Sequence, residues 1–370
     1  MPEIPARLIT YCTNIHPGES WQETFANLRK HIPPIKAAVS PEHLFPVGLR
    51  LSARAAAELT PAHRQTFRNW LADQDCFVPT LNGFPFGTFH GQRVKEKVYL
   101  PDWRSAERIA YTTRLADLLA DWLPSRVAGS ISTVPLGFKG IASKDDLPVM
   151  RHGLQAVLAY LARIHAERGK KILLALEPEP GCLLETTEEV CHFFAEGDFP
   201  DDLRPFLGVC YDCCHHAVEF EEPQASWRRL AEAGIPVAKL QVSSALQMRG
   251  ADTSRLRPFA EPHYLHQVVV RRQDGKLAKY ADLPEAFAGE PVNPDDEWRC
   301  HFHLPIFLEH YGITGTTRSF MEKILELAPE DLLLEVETYS WEVLPDHLRE
   351  ESVTTSIIRE INWLKGQLDA

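Results

Sequence analysis

Three carboxylates stand where an acid is costly unless it has a partner. The run Ile172 to Leu176 ends in Glu177-Pro178-Glu179-Pro180-Gly181. The run Leu207 to Tyr211 ends in Asp212-Cys213-Cys214-His215-His216. The run Leu332 to Val336 ends in Glu337. Short apolar runs bounded by charge and by Pro or Gly read as buried parallel strands. Pro178 cannot donate to a ladder, so the first of these strands stops at Glu177. If the three strand ends converge, the acids repel one another unless a divalent cation neutralises them. Carboxylate with imidazole suits Mn, Zn, Co or Fe, and a carboxylate-rich site also suits Mg. His215, three residues after Asp212, either joins such a site or orients its ligands. His301 and His303, in Cys300-His301-Phe302-His303-Leu304-Pro305, fall on one face if that segment is extended.

Each residue also has a plainer reading. An isolated Glu177 is an ordinary surface acid at a strand end. Asp212 is a good helix cap. Glu335 shares a strand face with Glu337 and could take its place one layer lower. His215 could be a buried structural histidine. What favours the chemical reading is the company the three acids keep.

The elements that must position them alternate between short apolar runs and helical patterns, which favours one α/β domain over residues 1–370. Strands are expected at Arg7 to Cys12, Val47 to Leu51, Phe77 to Leu81, Val127 to Thr133, Ile172 to Leu176, Leu207 to Tyr211, Val237 to Val242 and Leu332 to Val336. Ser20-Trp21-Gln22-Glu23 has the form of a capping box opening a helix to about Lys30. Asp146 to Arg168 carries Leu154, Val157, Leu158 and Leu161 on one stripe. The closing helix is expected from Pro345 to about Leu364. Eight strand-helix units with surplus loop length fit a (β/α)8 TIM barrel, whose strand ends meet at one mouth. A doubly wound sheet is the alternative, but no GxGxxG or GxxxxGK[ST] follows the early strands.

Two stretches exceed simple connectors. Asn82 to Trp103, after the third strand, is rich in Gly, Pro and aromatics and is expected to fold over the mouth. It offers Asn82, His90, Lys95 and Lys97 as substrate contacts, although lysine pairs are usually solvated and Phe84, Phe86 and Phe89 suit lid packing. Ser243 to Arg299, after the seventh strand, reads as a β-rich insertion with a hairpin turn at Asp274-Gly275. His16, after the first strand, is a further candidate substrate contact.

Composition narrows the class. The 370 residues carry 39 basic and 51 acidic side chains, a net charge of −12, which disfavours a nonspecific grip on nucleic acid. No run of about 18 apolar residues suggests a membrane span. The N-terminal MPEIPARLITYCTN lacks the layout of a signal peptide, so a cytoplasmic chain is expected. The 8 cysteines contain one CxxC match, Cys210 and Cys213, and read as reduced and mostly buried.

The set LEPEP, YDCCHH, KLQVSS and LLEVETY resembles the xylose isomerase-like barrel superfamily, which spans sugar isomerases, tagatose-type epimerases and endonuclease IV-type enzymes. In its epimerase-like members one divalent metal is held by residues that fall here on Glu177, Asp212, Gln241 and Glu337, with His215 beside the substrate. The downstream arginine of that pattern has no clear counterpart; Arg249 or the His301 and His303 pair could stand in for it. Gln241 and His303 remain alternatives as fourth ligand. YCTNIHPGESW, LNGFPFGTFHGQRVKEKVYLPDW, WRCHFHLPIF and EVETYSWEVLP further resemble the EboE-like metabolite traffic proteins, TIM barrels of Ebo biosynthetic clusters.

These resemblances imply a metal-dependent isomerase or epimerase acting on a sugar or related polyhydroxy carbonyl compound. Glu177 and Glu337 would move a proton on carbon through an enediolate stabilised by the ion. The substrate is expected to be small, polar and hydroxylated, with no nucleic acid partner, and a homo-oligomer is compatible with the chain. The competing readings are a metabolite-binding barrel without chemistry and a multi-zinc phosphodiester hydrolase.

Overall fold

The computed structural model describes residues 2–289, 293–311, 314–349 and 351–369. The first seven strands are β1 (Ile9–Tyr11), β2 (Phe45–Arg50), β3 (Cys76–Asn82), β4 (Gly129–Thr133), β5 (Ile172–Leu176), β6 (Leu207–Asp212) and β7 (Val237–Val242). The chain then makes β8 (Leu246–Arg249), β9 (Val268–Arg271), β10 (Leu277–Tyr280), β11 (Glu297–Cys300), β12 (His310–Tyr311) and β13 (Thr314–Thr316) before returning with β14 (Leu334–Val336).

One sheet runs β1-β14-β7-β6-β5-β4-β3-β2, with parallel pairing throughout. Its two edges meet. A parallel bridge joins Cys12 to Gly48. Thr10 Oγ1 donates to the Pro46 carbonyl at 2.7 Å and accepts from the Gly48 amide at 3.0 Å. The result is a (β/α)8 barrel with its strands buried on both faces, which is why they read as apolar runs rather than alternating ones.

The helices outside follow local rules. Ser20 and Glu23 form the expected capping box. Leu154, Val157, Leu158 and Leu161 are the buried stripe of Leu147–Arg168. Two boundaries differ from the sequence reading. The first helix runs Trp21–Val39, through Pro33 and Pro34, rather than ending near Lys30. The two prolines remove two ladder donors, but burial of Ile32, Ile35 and Val39 holds the apolar face against the barrel. The closing helix is Val353–Leu368, capped by Ser352, and Pro345 precedes only a short 3-10 turn.

The interior of the barrel carries a buried ion pair. Lys239 on β7 bonds Glu335 on the neighbouring β14, and both side chains are fully buried. A Cβ at position 48 would lie 1.8 Å from Glu335 Oε1 and 2.6 Å from the Tyr11 carbonyl, so Gly48 leaves the space this carboxylate occupies.

Above the mouth lies a second, six-stranded sheet ordered β10-β9-β11-β8-β13-β12. Asp274-Gly275 makes the expected turn between β9 and β10, with Gly275 at φ +83°. The β excursion does not close at Arg299. It continues to Thr316, because β13 pairs back onto β8 through Gly315 and Gln247. Residues 290–292 of this stretch lie outside the described residues. The long loop after β3 docks on the excursion. The amides of Val94 and Lys95 donate to the His263 carbonyl at 2.8 and 3.0 Å, and Lys95 Nζ donates to Asp282 Oδ2 at 2.6 Å. Arg108 holds the root of the loop by donating to the carbonyls of Gly83, Phe84 and Pro101.

Candidate metal centre

The three acids meet. One carboxylate oxygen each from Glu177, Asp212 and Glu337 lies within 4.8 Å of the others, and all three side chains are buried. Glu177 sits one residue past β5, its amide still bonded to the Thr133 carbonyl at 3.1 Å. Asp212 ends β6 and also caps the helix Cys213–Val218. Its two oxygens divide the work. Oδ1 accepts from the His215 amide at 3.0 Å and from Ser243 Oγ at 2.7 Å. Oδ2 has no hydrogen-bond partner. Capping and ligation are therefore compatible in this residue. Glu337 is held by two amides, Asn14 Nδ2 at 2.7 Å and Asn82 Nδ2 at 3.2 Å, both donating to Oε1. Glu335, the alternative one layer lower, is committed to Lys239.

Two more side chains bring free atoms to the interior. His303 donates from Nδ1 to the Glu337 carbonyl at 2.8 Å, so Nε2 carries a lone pair. That Nε2 lies 3.9 Å from Asp212 Oδ2 and has no partner. Gln241 shares the inward face of β7 with Lys239, two residues closer to the mouth, and neither end of its amide is bonded. Buried polar atoms are nearly always paired. Here Glu177 Oε2, Asp212 Oδ2, Gln241 Oε1 and Nε2, and His303 Nε2 all are not. Oxygen and imidazole donors left free at one end of a barrel fit a divalent cation.

The electrostatics agree. Burial, with Asp212, Glu179 and Glu335 nearby, pushes the Glu177 carboxyl up to about 8, while Lys239 opposes the shift. Burial and the charges of Glu177 and Asp212 push Glu337 well up. Burial would raise Asp212 as well, but His215, His303, Ser243 and the His215 amide bring it below its ordinary value. Without a cation, burial and mutual repulsion favour the protonated forms of Glu177 and Glu337, while the bonds and charges around Asp212 favour its ionised form.

A second layer lies toward the pocket. His215 donates from Nδ1 to the Pro178 carbonyl at 2.9 Å. His301 donates from Nδ1 to Gln267 Oε1 at 2.8 Å. Their Nε2 atoms face each other at 3.1 Å, and Tyr339 Oη lies 3.3 Å from His301 Nε2. Burial holds His215 down to about 4 and His301 well below its ordinary value, which favours the neutral form of both rings. If the Tyr339 hydroxyl donates to His301, the His215 lone pair is left for a ligand hydroxyl. Glu179 accepts from Tyr99 Oη at 2.7 Å and Gln267 Nε2 at 3.1 Å, and burial pushes its carboxyl up to about 7.

The pocket above these groups spans about 520 Å³ of space that is partly open to solvent. Of the residues singled out from sequence, Glu177, Glu337, His215, Asn82, Lys95 and His301 line it, with Phe84 and Phe89 from the loop. Four candidate substrate contacts do not. His16 accepts or donates to Tyr11 Oη at 3.0 Å and stacks on His31, away from the mouth. His90 is a strut: Nε2 donates to the Asn14 carbonyl at 2.5 Å and Nδ1 meets Tyr264 Oη at 3.0 Å. Lys97 is exposed on the outer face of the loop. Arg249 is exposed and pairs with Glu297 at 3.0 Å. Sequence reasoning passed over Asn14, Tyr99, Glu179, Gln267 and Tyr339. Glu179 had a signal, since it stands two residues after Glu177 in the same motif. Gln267 had none, because its place depends on how the insertion folds back.

Among solved structures, the chain is similar to a xylose isomerase-like TIM barrel protein from Mycobacterium smegmatis in complex with magnesium, at 10% identity and a TM-score of 0.57, covering 100% of this chain and 98% of that one. It is also similar to a xylose isomerase domain protein from Planctomyces limnophilus, at 13% identity and a TM-score of 0.50, covering 99% and 97%. No family model and no curated protein matches the chain. The likeness shows the fold, a xylose isomerase-like TIM barrel. No helix among the described residues is long and apolar enough to cross a membrane.

Proposed function

We propose that this barrel is a divalent-metal-dependent isomerase or epimerase of a hydroxylated carbonyl compound. The observation that carries the reading is the set of unpartnered buried atoms on Glu177, Asp212, Gln241 and His303. Glu177 Oε2, Asp212 Oδ2 and Glu337 would hold the ion, with His303 Nε2 or Gln241 Oε1 completing the set. When bound, the ion would supply charge stabilisation for an enediolate. Glu177 and Glu337, whose carboxylate oxygens lie within 4.8 Å of each other, suit removal and return of a proton on carbon. His215 Nε2 would accept a substrate hydroxyl. Asn14 and Asn82 hold Glu337 in place, and the docked loop would help to shield the reacting atoms from water. The resemblance to EboE-like proteins would put this chemistry in secondary metabolism.

The test is wash-in of deuterium. Metal-loaded protein in D2O should introduce deuterium at the carbon beside the carbonyl of a hydroxyketone. Glu177→Gln should abolish this and keep the fold by circular dichroism. Full exchange by Glu177→Gln removes that residue from the mechanism.

A second reading rests on the His215 and His301 Nε2 atoms, 3.1 Å apart, with Glu179 close to both. A second ion there would favour metal-assisted hydrolysis of a phosphodiester. Elemental analysis separates the two: one ion per chain supports the isomerase, two or more the hydrolase.

A further inference from the structure

The pocket has two chemically distinct halves. Its floor carries Glu177, Glu179, Glu337 and the rings of His215 and His301. Its walls and roof carry Phe84, Phe89, Val94, Val98, Tyr264 and Leu265. Phe89 and Tyr264 pack against each other at 5.1 Å between ring centroids, so the roof presents ring surface. The tyrosine hydroxyls turn to protein partners: Tyr99 to Glu179 and Tyr264 to His90. The upper half therefore offers little to sugar hydroxyls.

Cationic groups are committed as well. Lys95 is the cation among the described lining residues. Its Nζ donates to Asp282 Oδ2 at 2.6 Å and to the Glu261 carbonyl at 3.3 Å. His215 and His301 donate from Nδ1 to oxygen acceptors, and their Nε2 atoms face each other at 3.1 Å, so neither ring offers the pocket a free N–H. A phosphate or carboxylate on the substrate body, away from the ion, would find three buried glutamates and no uncommitted cationic side chain among the described lining residues, and desolvating it there is costly.

We infer that the substrate is uncharged and amphipathic, a hydroxycarbonyl head carrying an apolar body of aromatic or short prenyl size, rather than a free sugar or a sugar phosphate. This rests on the metal reading above, since the ion fixes which end of the substrate is the head. Apolar pockets with a few convergent polar groups recognise ligands of this kind.

Hydroxamates serve as probes, because the headgroup chelates a divalent ion as two adjacent substrate oxygens would. Calorimetric titration of Mn-loaded protein should rank 4-phenylbutyrohydroxamate and benzohydroxamate at least about tenfold tighter than acetohydroxamate. Phosphonoacetohydroxamate should bind no tighter than acetohydroxamate. In the Phe89→Ala/Val98→Ala double variant the ratio between the phenyl and methyl probes should fall to about threefold or less. Equal affinity of the phenyl and methyl probes, or tightest binding by the phosphonate, overturns this inference while metal-dependent binding of all four leaves the metal reading standing. An absence of any metal-dependent binding overturns both.

Discussion

Asp212 Oδ2 and His303 Nε2 face each other at 3.9 Å, and neither atom has a hydrogen-bond partner. The gap is too wide for a hydrogen bond. Two ligand atoms about 2.1 Å from one tetrahedral ion stand about 3.4 Å apart, so the pair would have to close by a few tenths of an ångström to share one. The opposite edge of each group is fixed: Asp212 Oδ1 by the His215 amide and Ser243, His303 Nδ1 by the Glu337 carbonyl. The protein thus fixes both groups close to the spacing that a shared ion would require. Asp212→Asn should therefore lower Mn affinity by about 100-fold or more, and Ser243→Ala by about tenfold. Comparing His303→Ala with Gln241→Ala in the same titration identifies the fourth ligand as the more damaging of the two.

The acids also set a pH dependence. Glu177 is raised from 4.5 to about 8, and Glu337 is raised as well. A carboxyl raised in the folded state holds a proton that the unfolded chain has already released. Between about pH 5 and 8 the folded chain binds more protons, so stability falls as pH rises through this window. Metal-free protein should lose a few kcal/mol across it, read as a falling Tm in chelator. Saturating Mn should flatten the curve. An unchanged Tm from pH 5 to 8 without metal contradicts the buried-acid picture.

The Lys239–Glu335 pair gives a prediction about stability. Both side chains are fully buried. Removing one partner strands a charge, so Lys239→Met should cost on the order of 3–5 kcal/mol in denaturant melts. Adding Glu335→Leu should recover most of that loss. A double variant as unstable as the single one would show that Lys239 acts on the acids above rather than on Glu335.

Much of this architecture was legible in the chain. Glu177, Asp212 and Glu337 each close an apolar run, and a parallel barrel strand buried on both faces leaves that signal. The helix through Pro33 and Pro34 was not legible, because burial of Ile32, Ile35 and Val39 overrides a local breaker. Arg249 and Lys97 looked available for substrate because sequence does not show which way a loop residue turns. One meets Glu297 and the other solvent. Tyr99 and Gln267 hold Glu179 from two different excursions, 168 residues apart in sequence. Only the docking of loop on insertion brings them together.

The docking itself is testable. Lys95 Nζ joins the loop to Asp282 on the insertion at 2.6 Å, with the Lys95 side chain buried. Lys95→Met should raise amide exchange at Val94 and Lys95 and weaken phenyl-bearing ligands several-fold, with little change in Mn affinity. Unchanged exchange would mean that the backbone bonds to His263 suffice.

The central claim is that Glu177, Asp212 and Glu337 form a metal centre. Anomalous diffraction from a Mn-soaked crystal tests it most directly. One strong peak is expected about 2.1–2.3 Å from Glu177 Oε2, Asp212 Oδ2 and a Glu337 oxygen, with His303 Nε2 or Gln241 Oε1 at similar range. A crystal saturated with Mn that shows no peak among these residues, or one only at another surface, would contradict it.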